Sequence, residues 1–254
     1  MSGHSKWAQI KRKKAVTDAK RGAVFSKIAK EIMVAAKLGG ADPVSNFRLR
    51  FAIEKAKANL VPQNNIQRAI EKGSGTGNED YKIEEIIYEG YGPGGIALLV
   101  QCTTDNKNRT VADLRSYFTK YNGKLGETGS VSWMFTKRGE IKIKRSSLKD
   151  QNEIYELAVE TGAEDIDISD DTYALIITKP EELEKVQKKI TAKNIIAEET
   201  RISYAPKEYI EITDPETGRS IIKLLDLIEE HDDVQNIFSN FDIKEEVLSG
   251  IKDE

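Results

Sequence analysis

An α+β fold in three domains is what this sequence predicts: an N-terminal helical domain and two α/β domains, the central one ferredoxin-like and inserted into the other. Three observations predict it. The 254 residues exceed what one core usually serves, which points to two or three domains. Apolar residues recur at helical spacing up to residue 72 and fall into strand-like runs afterwards. Between the two patterns lies Gly73-Ser74-Gly75-Thr76-Gly77, a linker composition.

The first helix is marked by Val24, Phe25, Ile28, Ile32, Ala35 and Ala36, which fall on one arc and stop at Gly39-Gly40. Lys20, Lys27, Lys30 and Lys37 share the opposite face, so one side can be buried while the other carries a basic stripe. Asp42-Pro43 is a start signal for a second helix, with the carboxylate as N-cap, and Phe47, Leu49, Ala52, Ile53 and Ala56 supply its apolar side. Pro62 opens a third, through Ile66, Ala69 and Ile70, stopped by Gly73.

Beyond the linker, residues 83–89 and 96–103 read as strands around a glycine-rich turn. Residues 106–121 read as a helix capped by Asp105 or Thr104. Residues 131–136 and 140–144 read as a hairpin turning at Lys137-Arg138-Gly139. A helix over 147–162, strands at 165–169 and 172–178, a helix from Pro180 to Lys193 and a strand over 195–204 complete the order strand, helix, strand, strand, helix, strand. That order is ferredoxin-like. The tail adds a strand near 209–212, a helix over 219–231 and a strand near 234–241. These pieces are too few for a domain, so they are expected to pair with residues 79–131. The resulting boundaries are 1–78 for the basic helical domain, 79–131 plus 206–254 for a discontinuous α/β domain, and 132–205 for the inserted one.

Charge separates along the chain as sharply as pattern does. Residues 1–72 hold sixteen Lys and Arg against five Asp and Glu, a local net charge of +11 in a protein whose total is −3. The remaining 182 residues carry −14. Such a split implies a polyanion-facing module on an acidic body. No run approaches the length of a membrane span, and no apolar segment follows the basic start, so neither a membrane anchor nor a secretory signal is expected. The single cysteine, Cys102, fits a reducing cytosol.

Motifs for chemistry fare poorly. Gly90-Tyr91-Gly92-Pro93-Gly94-Gly95 has the G-x-G-x-x-G spacing, but a β-type run follows where a dinucleotide site needs a helix, so a hairpin turn is expected. His4 and His231 have no neighbour at ligand spacing, so no metal is expected. The Asp165-to-Ser169 run lacks the glycine and final glutamate of a calcium loop and reads as an edge strand. Glu84, Glu85 and Glu89 could pair as acid and base, yet on a strand they read as a solvated face. The expectation is a non-enzymatic protein with no cofactor and no small-molecule substrate.

The segment from Lys6 to Arg21 is different. Lys6, Trp7, Lys11, Arg12, Lys13, Lys14, Lys20 and Arg21 form a dense basic run with one aromatic in it, and residues 9–21 show no apolar face in helical projection. Such a segment gains little by packing and should order on a partner. Lys and Arg displace counterions from phosphates, and Trp7 can stack on an exposed base. With Lys27 and Lys30 of the adjoining stripe, these are the expected nucleic-acid contacts.

At these residues the chain resembles the YebC family. The resemblance lies in Ser2-Gly3-His4-Ser5-Lys6-Trp7, Asp18-Ala19-Lys20-Arg21-Gly22, Pro62-Gln63-Asn64-Asn65-Ile66, Tyr88 to Gly95, Asp105 to Thr110 and Gly126 to Val131, and covers essentially the whole chain. Gln9 and Arg12 stand where the family usually has Asn and His. The resemblance implies a cytoplasmic three-domain protein. It also implies either a transcriptional regulator that binds DNA or, as for organellar and some bacterial members, a translation factor acting on ribosomal RNA at the ribosome. It brings no enzyme activity, cofactor or catalytic residue.

Overall fold

The computed structural model describes residues 18–76, 82–148, 150–244 and 247; the side chains of 18–21 and 151 fall outside that description. The chain opens with α1 (Asp18–Gly39), α2 (Phe47–Ala58) and α3 (Gln63–Ser74). These three helices share one core, in which Ile28, Ile32, Leu49, Ala52, Ala56, Ile66 and Ala69 are buried. Each fully buried Leu or Ile contributes about 1.5–3 kcal/mol relative to exposure. Two expectations are corrected here. Asn46, not Asp42, caps α2: its carboxamide oxygen accepts from Leu49 N at 3.0 Å while its amide donates to the Ala35 and Gly40 carbonyls. Asp42 instead closes the preceding turn through Val44 N and the Ser45 hydroxyl. Gly73 does not stop α3 either. It lies inside the helix where a Cβ would collide with the Met33 carbonyl, so its lack of a side chain lets α1 and α3 approach, and the left-handed Gly75 ends the helix.

The next unit is built from β1 (Glu84–Tyr91), β2 (Ala97–Thr104), α4 (Lys107–Lys120) and β3 (Lys124–Leu125). The glycine-rich turn between β1 and β2 is a hairpin connection, closed by Gly92 N to Ile96 O at 2.8 Å, as the β-type run after it predicts. Asn106, rather than Asp105 or Thr104, caps α4, accepting from Arg109 N at 3.1 Å.

Between this unit and the tail come β4 (Phe135–Lys144), α5 (Gln151–Thr161), β5 (Asp165–Asp167), β6 (Tyr173–Thr178), α6 (Leu183–Ala192) and β7 (Ala197–Pro206). Their sheet order is β5-β6-β4-β7 with every pair antiparallel, the ferredoxin-like arrangement. The expected hairpin at residues 137–139 is corrected: a 3-10 turn at Ser132–Met134 leads into one unbroken ten-residue strand. Gly139 sits in mid-strand because a Cβ there would meet the Thr178 hydroxyl and the Leu183 side chain.

The tail supplies β8 (Ile210–Ile212), α7 (Pro215–Glu230), β9 (Val234–Ser239) and β10 (Phe241–Ile243). β9 pairs with β2, so residues on both sides of the ferredoxin-like unit form one sheet of order β3-β1-β2-β9. Helices α4 and α7 cover its one face with Leu114, Phe118, Ile221, Leu224, Leu225 and Ile228 over Leu98 and Val100. The other face carries Leu99, Val131, Phe135 and Phe238. Among the described residues, no helix is long and apolar enough to cross a membrane.

Candidate nucleic-acid interface

Of the ten expected contact residues, Lys6, Trp7, Lys11, Arg12, Lys13 and Lys14 lie outside the described residues, and Lys20 and Arg21 belong to the first turn of α1 without described side chains. Lys27 and Lys30 are placed, and both turn inward. Lys27 Nζ donates to the Glu229 carbonyl at 2.5 Å. Lys30 Nζ donates to the Asp232 carbonyl at 3.1 Å and to the Asp233 carboxylate at 2.5 Å. Glu229 is in the last turn of α7, where unsatisfied carbonyls form the negative end of the helix dipole. The basic stripe of α1 therefore meets the acidic corner between α7 and β9.

Asp233 is the hub of that seam. Its side chain is 1% exposed and takes bonds from Lys30, Arg109 (3.1 Å), the Thr104 hydroxyl (3.1 Å) and the Thr110 hydroxyl (2.7 Å). Burial by itself would raise its pKa. The bonds from Lys30, Thr110 and Arg109 overcome that and hold the carboxyl well below the usual carboxylate range. His231 completes the corner: its Nδ1 accepts from Asp233 N at 3.0 Å, which leaves Nε2 to donate to the Asp113 carboxylate at 3.2 Å. The buried Cys102 lies near Asp233; burial first, and that charge second, push its thiol up to about 12, far from a reactive thiolate.

Other cations of the helical domain are engaged too, most of them with the α/β units. Lys37 donates to the Ile83 carbonyl at 2.7 Å. Arg48 makes a two-pronged bond to Glu85 (2.6 and 3.1 Å), and Arg50 reaches the Pro43 carbonyl and Glu184 of α6. Lys55 pairs with Glu31 at 2.7 Å. Lys57 and Arg68 are exposed and make no ion pair among the described residues. Much of the domain's folded positive charge is thus spent on holding it to the α/β units.

A second feature was not read from the sequence. Glu89, expected on a solvated face, is 5% exposed, on the same face of β1 as Ile87. Its carboxylate accepts from Gly129 N, Val131 N and Ser132 N, each at 2.8 Å. Burial alone would raise this carboxyl; the three amide bonds, with the Ser132 hydroxyl, hold it below its ordinary value. Beside the loop so pinned stand two aromatic rings, Trp133 just after it and Tyr91 at the end of β1. Tyr91 Oη and Trp133 Nε1 both donate to the Ser130 carbonyl, at 3.0 and 3.1 Å, while the rings remain 38% and 64% exposed. The sequence signal was available in two places forty residues apart, Tyr88 to Gly95 and Gly126 to Trp133, but nothing local joins them. Among the described residues there is no cluster of His, Cys, Asp and Glu that could hold a metal ion.

Comparison with known proteins gives the family of the chain. Residues 5–76 match the model for the TACO1/YebC protein N-terminal domain, and residues 83–241 match that for the TACO1/YebC second and third domain. A probable transcriptional regulatory protein of Desulfotalea psychrophila is 51% identical over 98% of both chains. One from Chlorobaculum tepidum is 48% identical over the full length of both. Among solved structures, that of a conserved hypothetical protein from Aquifex aeolicus superposes with a TM-score of 0.87 at 46% identity, covering 96% of this chain and 99% of that one.

Proposed function

We propose that this chain, which belongs to the TACO1/YebC family, is a non-enzymatic, nucleic-acid-binding regulator of gene expression that acts in the cytoplasm. The observation that carries the reading is the charge separation, +11 in residues 1–72 against −14 beyond, in a chain whose relatives are named probable transcriptional regulatory proteins. The seam refines it. Lys27 and Lys30 are engaged with α7 and Asp233, so the role of phosphate contact falls to Lys6, Lys11, Arg12, Lys13, Lys14, Lys20 and Arg21, with Trp7 as a stacking residue. Binding through such a run is electrostatic and steeply salt-dependent. DNA is the first reading, and contact with phosphates would position the protein without itself reading sequence.

A second reading, a translation regulator acting on RNA or the ribosome, is favoured by one specific observation: the exposed Tyr91 and Trp133 rings suit unpaired bases, which RNA offers freely. The test of the shared reading is salt dependence. Changing Lys11, Arg12, Lys13 and Lys14 together to Ala should weaken duplex binding and flatten the log–log salt slope by about 3–4 units. An unchanged slope would reduce the run to a solvated face. Crosslinking in cells, followed by sequencing of both bound DNA and bound RNA, separates the two readings. Promoter peaks with no ribosomal RNA would favour the first, and co-sedimentation with ribosomes without promoter peaks the second.

A further inference from the structure

We propose that Tyr91 and Trp133 form a preorganised stacking platform for unpaired nucleobases, a contact separate from the basic N-terminal segment. The proposal rests on the nucleic-acid reading above and adds a site and a ligand class to it.

Three features of the platform point to bases. The polar tips of both side chains are already satisfied: the phenol and indole donors converge on the one Ser130 carbonyl, so the two tips lie as neighbours and what the exposed rings offer outward is π surface. The backbone under them is fixed. Glu89 binds the amides of Gly129, Val131 and Ser132, and Val131 is wholly buried against Leu99 and Phe238, so little ordering remains to be done on binding. Finally, two lysines stand close by in the fold. Lys124 stands directly across from Tyr91 in the β1–β3 pairing, which puts both side chains on one face, and Lys207 N bonds the carbonyl of Met134, next to Trp133. Both lysines are exposed and make no ion pair among the described residues.

Electrostatics alone does not explain the patch. Glu127 and Glu208 are exposed and stand near Lys124 and Lys207 in the chain, so the local charge is close to balanced. A phosphate backbone would gain little here by itself. A base stacked on an aromatic ring gains whatever the salt, because every base has a π face. A duplex cannot use the platform, since its bases are stacked on one another. The ligand is therefore a single strand, RNA or DNA.

The experiment uses the full chain in a Trp7→Phe background, so that Trp133 is the remaining tryptophan of the two. The probes are an unstructured mixed-sequence 12-mer RNA, the DNA of the same sequence, its duplex, and an acidic peptide of matched charge. Both single strands should quench Trp133 fluorescence, and the duplex should not. Trp133→Ala should weaken single-strand binding about tenfold or more, leaving the salt slope and duplex affinity unchanged, and Trp133→Phe should recover most of the loss. Unchanged single-strand affinity in Trp133→Ala, with the four-residue basic variant still impaired, would overturn the platform and leave the general reading standing. Failure of any nucleic acid to bind would overturn both. Quenching by the peptide but by neither single strand would overturn the platform in favour of a protein partner.

Discussion

Asp233 and Glu89 are both carboxylates buried in the discontinuous α/β unit, both held below their usual range, and they do opposite things with that charge. Asp233 receives cations from elsewhere, Lys30 from α1 and Arg109 from α4, and so draws a basic helix inward. Glu89 receives backbone amides from a single loop and so fixes the Ser130 carbonyl to which Tyr91 and Trp133 both donate. The lesson concerns availability. Lys27, Lys30 and Lys37 of a stripe legible in the sequence are consumed by the fold, whereas an apparently solvated glutamate builds a presentable surface. Local charge excess is not the same quantity as charge free to meet a ligand.

The contrast breaks most visibly at Asp233. Its replacement by Asn should cost about 3–5 kcal/mol, because Lys30 and Arg109 would lose their buried counter-charge. Urea unfolding of the two proteins measures this. A loss below 1 kcal/mol would mean that the seam is not held by this carboxylate. Folded Asp233 titrates below its unfolded value of about 3.9, so its contribution is present above that pH and disappears as pH falls towards the folded value. Wild type should therefore lose stability below about pH 4, and Asp233→Asn should show a shallower acid branch.

Next comes Glu89. Glu89→Gln keeps the volume but turns an acceptor atom into a donor facing amide N–H groups, at a cost of about 1–3 kcal/mol. Hydrogen exchange should quicken at Gly129, Val131 and Ser132 while the core amides of β2 keep their relative protection. Uniform acceleration across the sheet would instead make Glu89 a general stability residue with no special hold on the loop.

How much of this was legible depended on how local the cause was. The ferredoxin-like order was readable because each element carries its own periodicity, and the antiparallel β5-β6-β4-β7 sheet follows from that order. The α1 core face was readable for the same reason: Ile28, Ile32, Ala35 and Ala36 are all buried. Gly139 was misread as a turn because its cause is distant, the Thr178 and Leu183 side chains packed against mid-strand. Asn46 was passed over as a cap for Asp42, since both are good capping residues and only the bonds to Ala35 and Gly40 decide between them. Glu89 and Asp233 were missed because strand alternation says which face a residue is on but not which amides or cations, forty to two hundred residues away, arrive there.

The smallest effect is the most telling for the charge argument. Lys27 donates to the Glu229 carbonyl at the end of α7. Lys27→Ala should therefore cost only about 1 kcal/mol in stability and leave nucleic-acid affinity within about twofold, with the salt slope unchanged. Each residue that truly contacts a phosphate should instead lower that slope by about one. If Lys27→Ala lowered the slope by that much, the contact with α7 would have to open in the complex. The stripe on α1 would then be a face released by the ligand, and the Asp233 corner would compete with the nucleic acid for it. An unchanged slope keeps the two regions distinct: α1 beyond its first turn is a structural strut, and the polyanion is met by that first turn and the residues before it.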